Sequence, residues 1–234
     1  MPANPPRPFL RACSDVSSPR TFRDRSEAGR LLGERVKYLK SEQPIVLALA
    51  RGGVPVAFEV AQALHGPLDV LVVRKLGVPF HPELAFGAIG EADTQVLNTK
   101  LVQRLGISRE GIAAVARRER AELLRRVALY RGNRAPLELV GRTVMIVDDG
   151  LATGATARVA VEVARARGAK RIIIAVPVSA PEAAAELARL ADEVISLQVP
   201  TQFQAVGEWY EDFNQTTDDE VTSLLRKSSN TDTL

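Results

Sequence analysis

Apolar and polar positions fall into blocks along this chain, and the blocks predict a regular succession of helices and strands. Asp24 to Glu27 reads as a D-x-x-E helix start, after which Ala28, Leu31, Leu32, Val36 and Leu39 share one helical face. Pro44 opens a short apolar run, IVLALA, that stops at Arg51-Gly52-Gly53. A helical pattern over Val54–Leu64 follows, then a second apolar run over Leu68–Lys75. Residues 76–98 carry Gly77, Pro79, Pro82, Gly87 and Gly90 with weak strand character, which predicts a long, mobile excursion. Ser108–Tyr130 reads as a long charged helix. A strand at 143–148, a helix at 155–167, the strand RIIIAVPV, the helix APEAAAELARLA and the strand DEVISLQVP complete the series. Residues 200–214 are irregular and aromatic, and Thr217 to Glu220 is a capping box for a last helix.

Strands that are apolar throughout and alternate with helices predict an α/β fold: a mainly parallel sheet covered on both faces. Its ligands belong beyond the carboxyl ends of the strands. The turns at 50–53 and 148–156 and the excursion at 76–98 all leave such ends, so they can meet in one crevice. The division expected is an N-terminal arm over 1–20, a core over 21–199 that holds the mobile loop 76–98 and the charged helix 108–130, a cap with the terminal helix over 200–227, and a disordered tail over 228–234.

Composition narrows this picture little. The 234 residues are 46% hydrophobic, enough for a real core, and a net charge of +3 with a basic isoelectric point suits an anionic ligand. A single cysteine, Cys13, rules out an internal disulfide framework, and two histidines without a cysteine cluster argue against a structural zinc site. No apolar run reaches the roughly 18–20 residues of a membrane helix. No secretory signal is evident either, so a cytoplasmic location is expected.

The densest chemistry lies at 144–156, VMIVDDGLATGAT. Four apolar β-formers deliver Asp148 and Asp149 to a strand end. The turn that follows, with its glycines and threonines, opens a helix at Ala155. Acids for hydroxyls and a metal, next to loop amides and a helix N-terminus for a phosphate, suit a sugar phosphate. A P-loop is excluded by its spacing, since Ala155 stands where its lysine would be, and no G-x-G-x-x-G occurs. Arg51-Gly52-Gly53 is a second anion-facing turn, where paired glycines allow close backbone approach and the arginine offers a planar cationic fork.

The run of strand, acid pair and Thr153-Gly154-Ala155-Thr156 resembles the signature of the type I phosphoribosyltransferases, and ARGGVPVA, VRKLGVP and AVGEWYEDF look like a poorly characterised bacterial branch of that family. The resemblance implies the family's fold, with a hood and a mobile loop, and magnesium-dependent transfer of 5-phosphoribosyl from phosphoribosyl diphosphate (PRPP) to a nitrogenous, base-like acceptor. It places the 5-phosphate on Gly150, Ala152, Thr153, Gly154, Ala155 and Thr156. Asp148 and Asp149 would face the ribose hydroxyls and magnesium (Mg2+), directly or through water. The diphosphate would meet Ala50, Arg51, Gly52 and Gly53, a loop that often carries a cis peptide in the family, together with Arg74 and Lys75. Catalysis would rest on Asp148, Asp149, Arg51 and Lys75. Ala152 occupies the place of the aspartate found in 6-oxopurine enzymes, which steers the acceptor away from hypoxanthine and guanine. A general acid or base would come from His81, Glu83 or Glu91. Phe203, Trp209 and Tyr210, with Phe213, would stack on the acceptor or pack a small cap, and Glu208 and Asp212 could accept hydrogen bonds from it. A homodimer is expected and a membrane partner is not. The basic helix segment 117–126 interleaves Glu119 and Glu122 with its arginines, which predicts a salt-bridged surface or an oligomer contact rather than a nucleic-acid site. A non-enzymatic regulator that senses PRPP or a nucleotide and signals to RNA, DNA or a protein partner remains the alternative, since fold does not separate the two.

Overall fold

The computed structural model describes residues 9–12, 21–78, 81–91, 94–132 and 134–231. Six parallel strands form the main sheet in the order β1 (Phe9–Ala12), β9 (Glu193–Gln198), β8 (Arg171–Val178), β7 (Thr143–Val147), β2 (Ile45–Leu49) and β3 (Leu68–Leu71). The order reverses between β2 and β7. From β2 the chain moves outward to β3, and from β7 it moves the other way through β8 to β9. The loops after β2 and β7 therefore leave the sheet at its topological switch point, where α/β sheets open a crevice.

β2 and β3 are buried throughout, and β7 and β8 are buried beyond their first residues, as strands covered on both faces must be. One face carries α1 (Arg25–Val36), α2 (Gly53–Leu64) and α7 (Asp218–Thr231), with Leu32, Val60, Val221 and Leu225 in its core. The other carries α5 (Ala155–Ala166) and α6 (Pro181–Leu187), with Val159, Val163 and Leu187. Gly29 and Gly33 let α1 lie close on α2, since a Cβ at either would come within 2.9 Å of α2 atoms. The predicted helix starts are real. Asp24 caps α1 by accepting from the Glu27 N–H, and Thr217 and Glu220 cap α7 reciprocally.

Four expectations change. The strand predicted over Leu68–Lys75 is two: β3 ends at Leu71, and β4 (Arg74–Val78) joins β5 (His81–Ile89) and β6 (Gln95–Leu97) in a separate antiparallel sheet. Arg74 and Lys75 cannot enter a sheet buried on both faces, so the chain turns out of it. The excursion expected to be mobile is thus largely this small sheet, followed by α3 (Thr99–Leu105), and residues 79–80 and 92–93 lie outside the described residues. Of the expected N-terminal arm, Phe9–Ala12 forms β1 against β9, while 1–8 and 13–20 lie outside the described residues. α7 runs to Thr231, into the stretch expected to be a disordered tail, and 232–234 are again outside.

The edge strand β3 is sealed by charge rather than by a neighbouring strand. Arg131, the last residue of α4 (Arg109–Arg131), donates to the Val70 carbonyl at 2.8 Å and to Asp69 at 3.1 Å, and it pairs with Glu91. Glu91 in turn accepts from the Val72 N–H at 3.3 Å. All three side chains are buried. Glu91, one of three candidates for a general acid or base, is thus held as a structural anion; the main chain of the other two, His81 and Glu83, lies in β5.

Candidate active site

Asp148 and Asp149 follow β7 at the switch point. Asp148 turns back to accept from the Asp149 N–H at 3.0 Å, which sets the second carboxylate beside the first. Across from them, the turn after β2 passes so close that only glycine fits. A Cβ on Gly53 would lie 2.7 Å from the Val147 carbonyl, and one on Gly52 would collide with Asp149 Oδ2. The Ala50–Arg51 peptide in this turn is cis, as the resemblance implies. Arg51 lies 3.7 Å from Asp218 of α7, which also accepts from the Tyr130 hydroxyl at 2.8 Å. Burial, reinforced by Asp218, pushes the Tyr130 hydroxyl up to about 12.

On the other side of the acid pair, Gly154 takes φ +67° and opens α5. A recess of about 180 Å3 is lined by Asp148 and by Gly150, Leu151, Ala152, Thr153, Gly154, Ala155 and Thr156, with Val206 reaching in from the cap. The loop hangs on β8: Leu151 donates to the Val178 carbonyl and Ala180 donates back to Leu151. Among the described residues, the N–H groups of Ala152, Thr153 and Gly154 have no internal acceptor, so they are free for an anion at a helix N-terminus.

Burial raises the Asp148 carboxyl well above the usual range, with Asp149 next door adding to the shift. Asp149 is raised as well, by burial, although Arg25 opposes the shift. That arginine is the residue sequence reasoning missed. Its Nε donates to Asp149 Oδ2 at 2.8 Å, its Nη1 donates to the Asn214 carbonyl at 2.7 Å, and its guanidinium lies 4.0 Å from the Phe213 ring centroid. Its only sequence signal is its place as the first residue of α1, directly after the Asp24 cap.

Because both acids stand above 3.8 in the fold, the folded chain binds more protons than the unfolded chain from that pH upward. Stability contributed by this pair is therefore lost as pH rises through the raised values. Arg25→Ala should push both acids higher and cost about 2 kcal/mol at neutral pH, since a cation leaves a largely buried carboxylate. The deficit should shrink as pH falls toward 5, and urea unfolding at two pH values measures it. A deficit that grew on acidification would contradict this account.

Of the two uses expected of the cap aromatics, Tyr210 takes the packing one. Its ring is buried, tilted against Phe22 at 5.4 Å and stacked on Phe213 at 5.0 Å, and its hydroxyl donates to the Asp149 carbonyl at 2.6 Å. Tyr210 thus wedges the acid pair from behind and offers no free face to a base. Phe203 and Trp209 are half-buried around it, while Glu208 and Asp212 are exposed. Arg74 is also committed elsewhere, to Glu119 of α4 at 2.7 Å. Lys75 lines a larger recess between β4–β6 and α5, which shares Ala155 with the phosphate-loop recess. On α4, Arg125 and Arg126 both grip Glu122, whose carboxyl they hold down at about 2, so the basic segment is a salt-bridged surface.

A sequence model of the family described as "Phosphoribosyl transferase domain" matches residues 94–212, which takes in the acid pair, the loop at 150–156 and the first part of the cap. The Mycobacterium tuberculosis H37Rv protein named "Putative phosphoribosyl transferase Rv0571c" is 51% identical over 207 residues, covering 88% of this chain and 47% of the relative. The chain therefore spans about half the length of the curated relatives it matches. The crystal structure of TT1426 from Thermus thermophilus superposes with a TM-score of 0.82 at 44% identity, covering 88% of this chain and 98% of that one. No described helix is long and apolar enough to cross a membrane.

Proposed function

Because this chain belongs to the phosphoribosyl transferase domain family, we propose that it transfers 5-phosphoribosyl from PRPP to a nitrogenous, base-like acceptor, releasing diphosphate. One observation carries the reading. An acid pair, a glycine turn with an arginine and an unclaimed amide loop stand together at the sheet's switch point. The amides of Ala152, Thr153 and Gly154, with the hydroxyls of Thr153 and Thr156, hold the 5-phosphate. Asp148 and Asp149 orient the ribose through its hydroxyls. Arg51 and the amides of Gly52 and Gly53 meet the diphosphate as its charge grows, and Lys75, in the neighbouring recess, adds a cation on that side.

No group of three or more potential metal ligands occurs among the described residues. Two carboxylates fit a Mg2+ ion only sparsely held by protein, with phosphate and water oxygens completing its shell. When bound, the ion would neutralise diphosphate charge. Arg25 opposes the upward push that burial exerts on the Asp149 carboxyl, which favours its charged form for that contact. Direct attack of the acceptor on the anomeric carbon needs no covalent protein nucleophile, so positioning and electrostatics carry the rate. Ala152 argues for an acceptor other than a 6-oxopurine, and half-buried Phe203 and Trp209 are the cap rings left to face it. The regulatory alternative loses its main support, since Glu119 and Glu122 take up arginines of the basic helix.

The test is a screen of purines, pyrimidines and simple amines with PRPP and Mg2+, reading diphosphate release. At least one acceptor should support turnover that Mg2+ chelation abolishes. Failure of every acceptor, with PRPP binding absent by calorimetry, would sink the reading.

A further inference from the structure

The small sheet β4–β5–β6 and α3 stand off from α5 and leave a cavity of about 570 Å3 between them. Neither Asp148, Asp149, Arg51 nor any cap residue lines it. Its volume is that of a site for a drug-sized molecule. Leu97, Leu101 and Val159 form an apolar surface. Lys75 from β4 and Arg104 from α3 also line it, and neither side chain has an ion-pair or hydrogen-bond partner among the described residues. The remaining charges there are balanced: Arg158 bonds Glu186 at 2.7 Å and lies 3.5 Å from Glu162. Asn98 uses its side-chain oxygen to cap α3 through the Leu101 N–H at 3.0 Å, which leaves its amide N–H groups as donors.

Cations in a concave, partly apolar pocket are poised for an anion, because a charge-assisted bond gains strength where water is thinned. Free phosphate would leave the apolar wall uncovered, and a neutral ring would leave two charges unmet. We propose that this cavity is a second ligand site, for a small organic anion with a flat apolar body, whose acidic group meets Lys75 and Arg104 while its body covers Leu97, Leu101 and Val159. The site shares two residues with the transfer machinery proposed above: Lys75, placed there on the diphosphate side, and Ala155, which opens α5, so occupancy of the cavity sits beside the proposed phosphate loop.

The probe is 1-naphthalenesulfonate, titrated calorimetrically into the full chain, with 1-naphthalenemethanol as the same body without charge and inorganic phosphate as charge without body. The sulfonate should bind one per chain. The alcohol and phosphate should each bind more weakly by about tenfold or more, the factor a single charge-assisted bond or a buried ring carries. Arg104→Glu, an exposed change that the fold should tolerate, should weaken the sulfonate by a similar factor, and Ala85→Phe should block it by filling the cavity. Arg109→Glu, exposed at the start of α4 and outside the cavity, should leave it unchanged, as should Thr153→Val in the phosphate loop. Wild-type affinity in Arg104→Glu and Ala85→Phe overturns the proposal, as does equal binding of the alcohol. Loss of binding in Thr153→Val would move the probe to the phosphate loop and overturn it too. None of these outcomes depends on catalysis, so a chain that failed the transferase screen would still answer the question.

Discussion

Asp149→Asn is expected to lower diphosphate release from PRPP by roughly 10²–10³-fold, the scale on which single preorganised electrostatic groups act in transition states. The substitution is nearly isosteric and isolates charge. The Tyr210 hydroxyl bonds the backbone carbonyl of Asp149, not its side chain, so the wedge behind the pair survives. The amide oxygen can still accept from Arg25. Loss of one of two adjacent, largely buried acids should also raise the melting temperature slightly at neutral pH, since both carboxyls stand above their usual range in the fold. Steady-state kinetics and thermal unfolding on the same preparation test both halves. An asparagine variant that kept more than a tenth of the activity would remove Asp149 from the chemistry. A variant that lost activity together with stability would instead mark the pair as structural.

Arg131→Met carries the second large effect, an expected loss of about 3–5 kcal/mol in urea unfolding. The substitution leaves Asp69 and Glu91 buried without their cation and the Val70 carbonyl without its donor. Such a residue is worth more as a partner than the pair is worth as a unit, because the stranded charges bear the full desolvation cost. Adding Glu91→Gln should therefore recover part of the loss. A single-variant loss below about 1 kcal/mol would contradict the account, and so would the absence of recovery in the double variant. The same residue ties the end of α4 to the root of the small sheet, so Arg131→Met should also loosen the wall of the cavity that holds Lys75.

Most strands and helices, and the residues proposed for the donor side of the site, are legible because their signals are local. Strands buried on both faces have to be continuous apolar runs, which is why 45–49, 143–147 and 171–178 were readable. A capping box is four adjacent residues, and a phosphate loop is a turn with its helix start. The acid pair and the Gly52-Gly53 turn belong to the same class: each residue's task is set by its immediate neighbours in the chain.

The misreadings share a different origin. Leu68–Lys75 looked like one strand because nothing local says which sheet a strand joins. Glu91 looked like a loop acid because its partner, Arg131, lies forty residues away. For Tyr210 the sequence leaves stacking and cap packing both open, because it does not show that Phe22 and Phe213 hold its ring. Arg74 looked like a diphosphate ligand until Glu119 took it.

Local pattern in the sequence is enough for the parallel α/β sheet, for the strand ends at which the candidate ligand loops gather, and for a turn whose residues suit a phosphate. Each of these follows from patterns within a few residues, where chain geometry leaves little choice. Only the tertiary structure decided which charges are spent on one another and which remain for a ligand. It set Arg25 on Asp149, closed β3 with Arg131 and left Lys75 and Arg104 unpaired in one cavity. The physical reason is that a charge's availability depends on what lies within a few ångströms of it in space, and in this fold those neighbours come from distant parts of the chain.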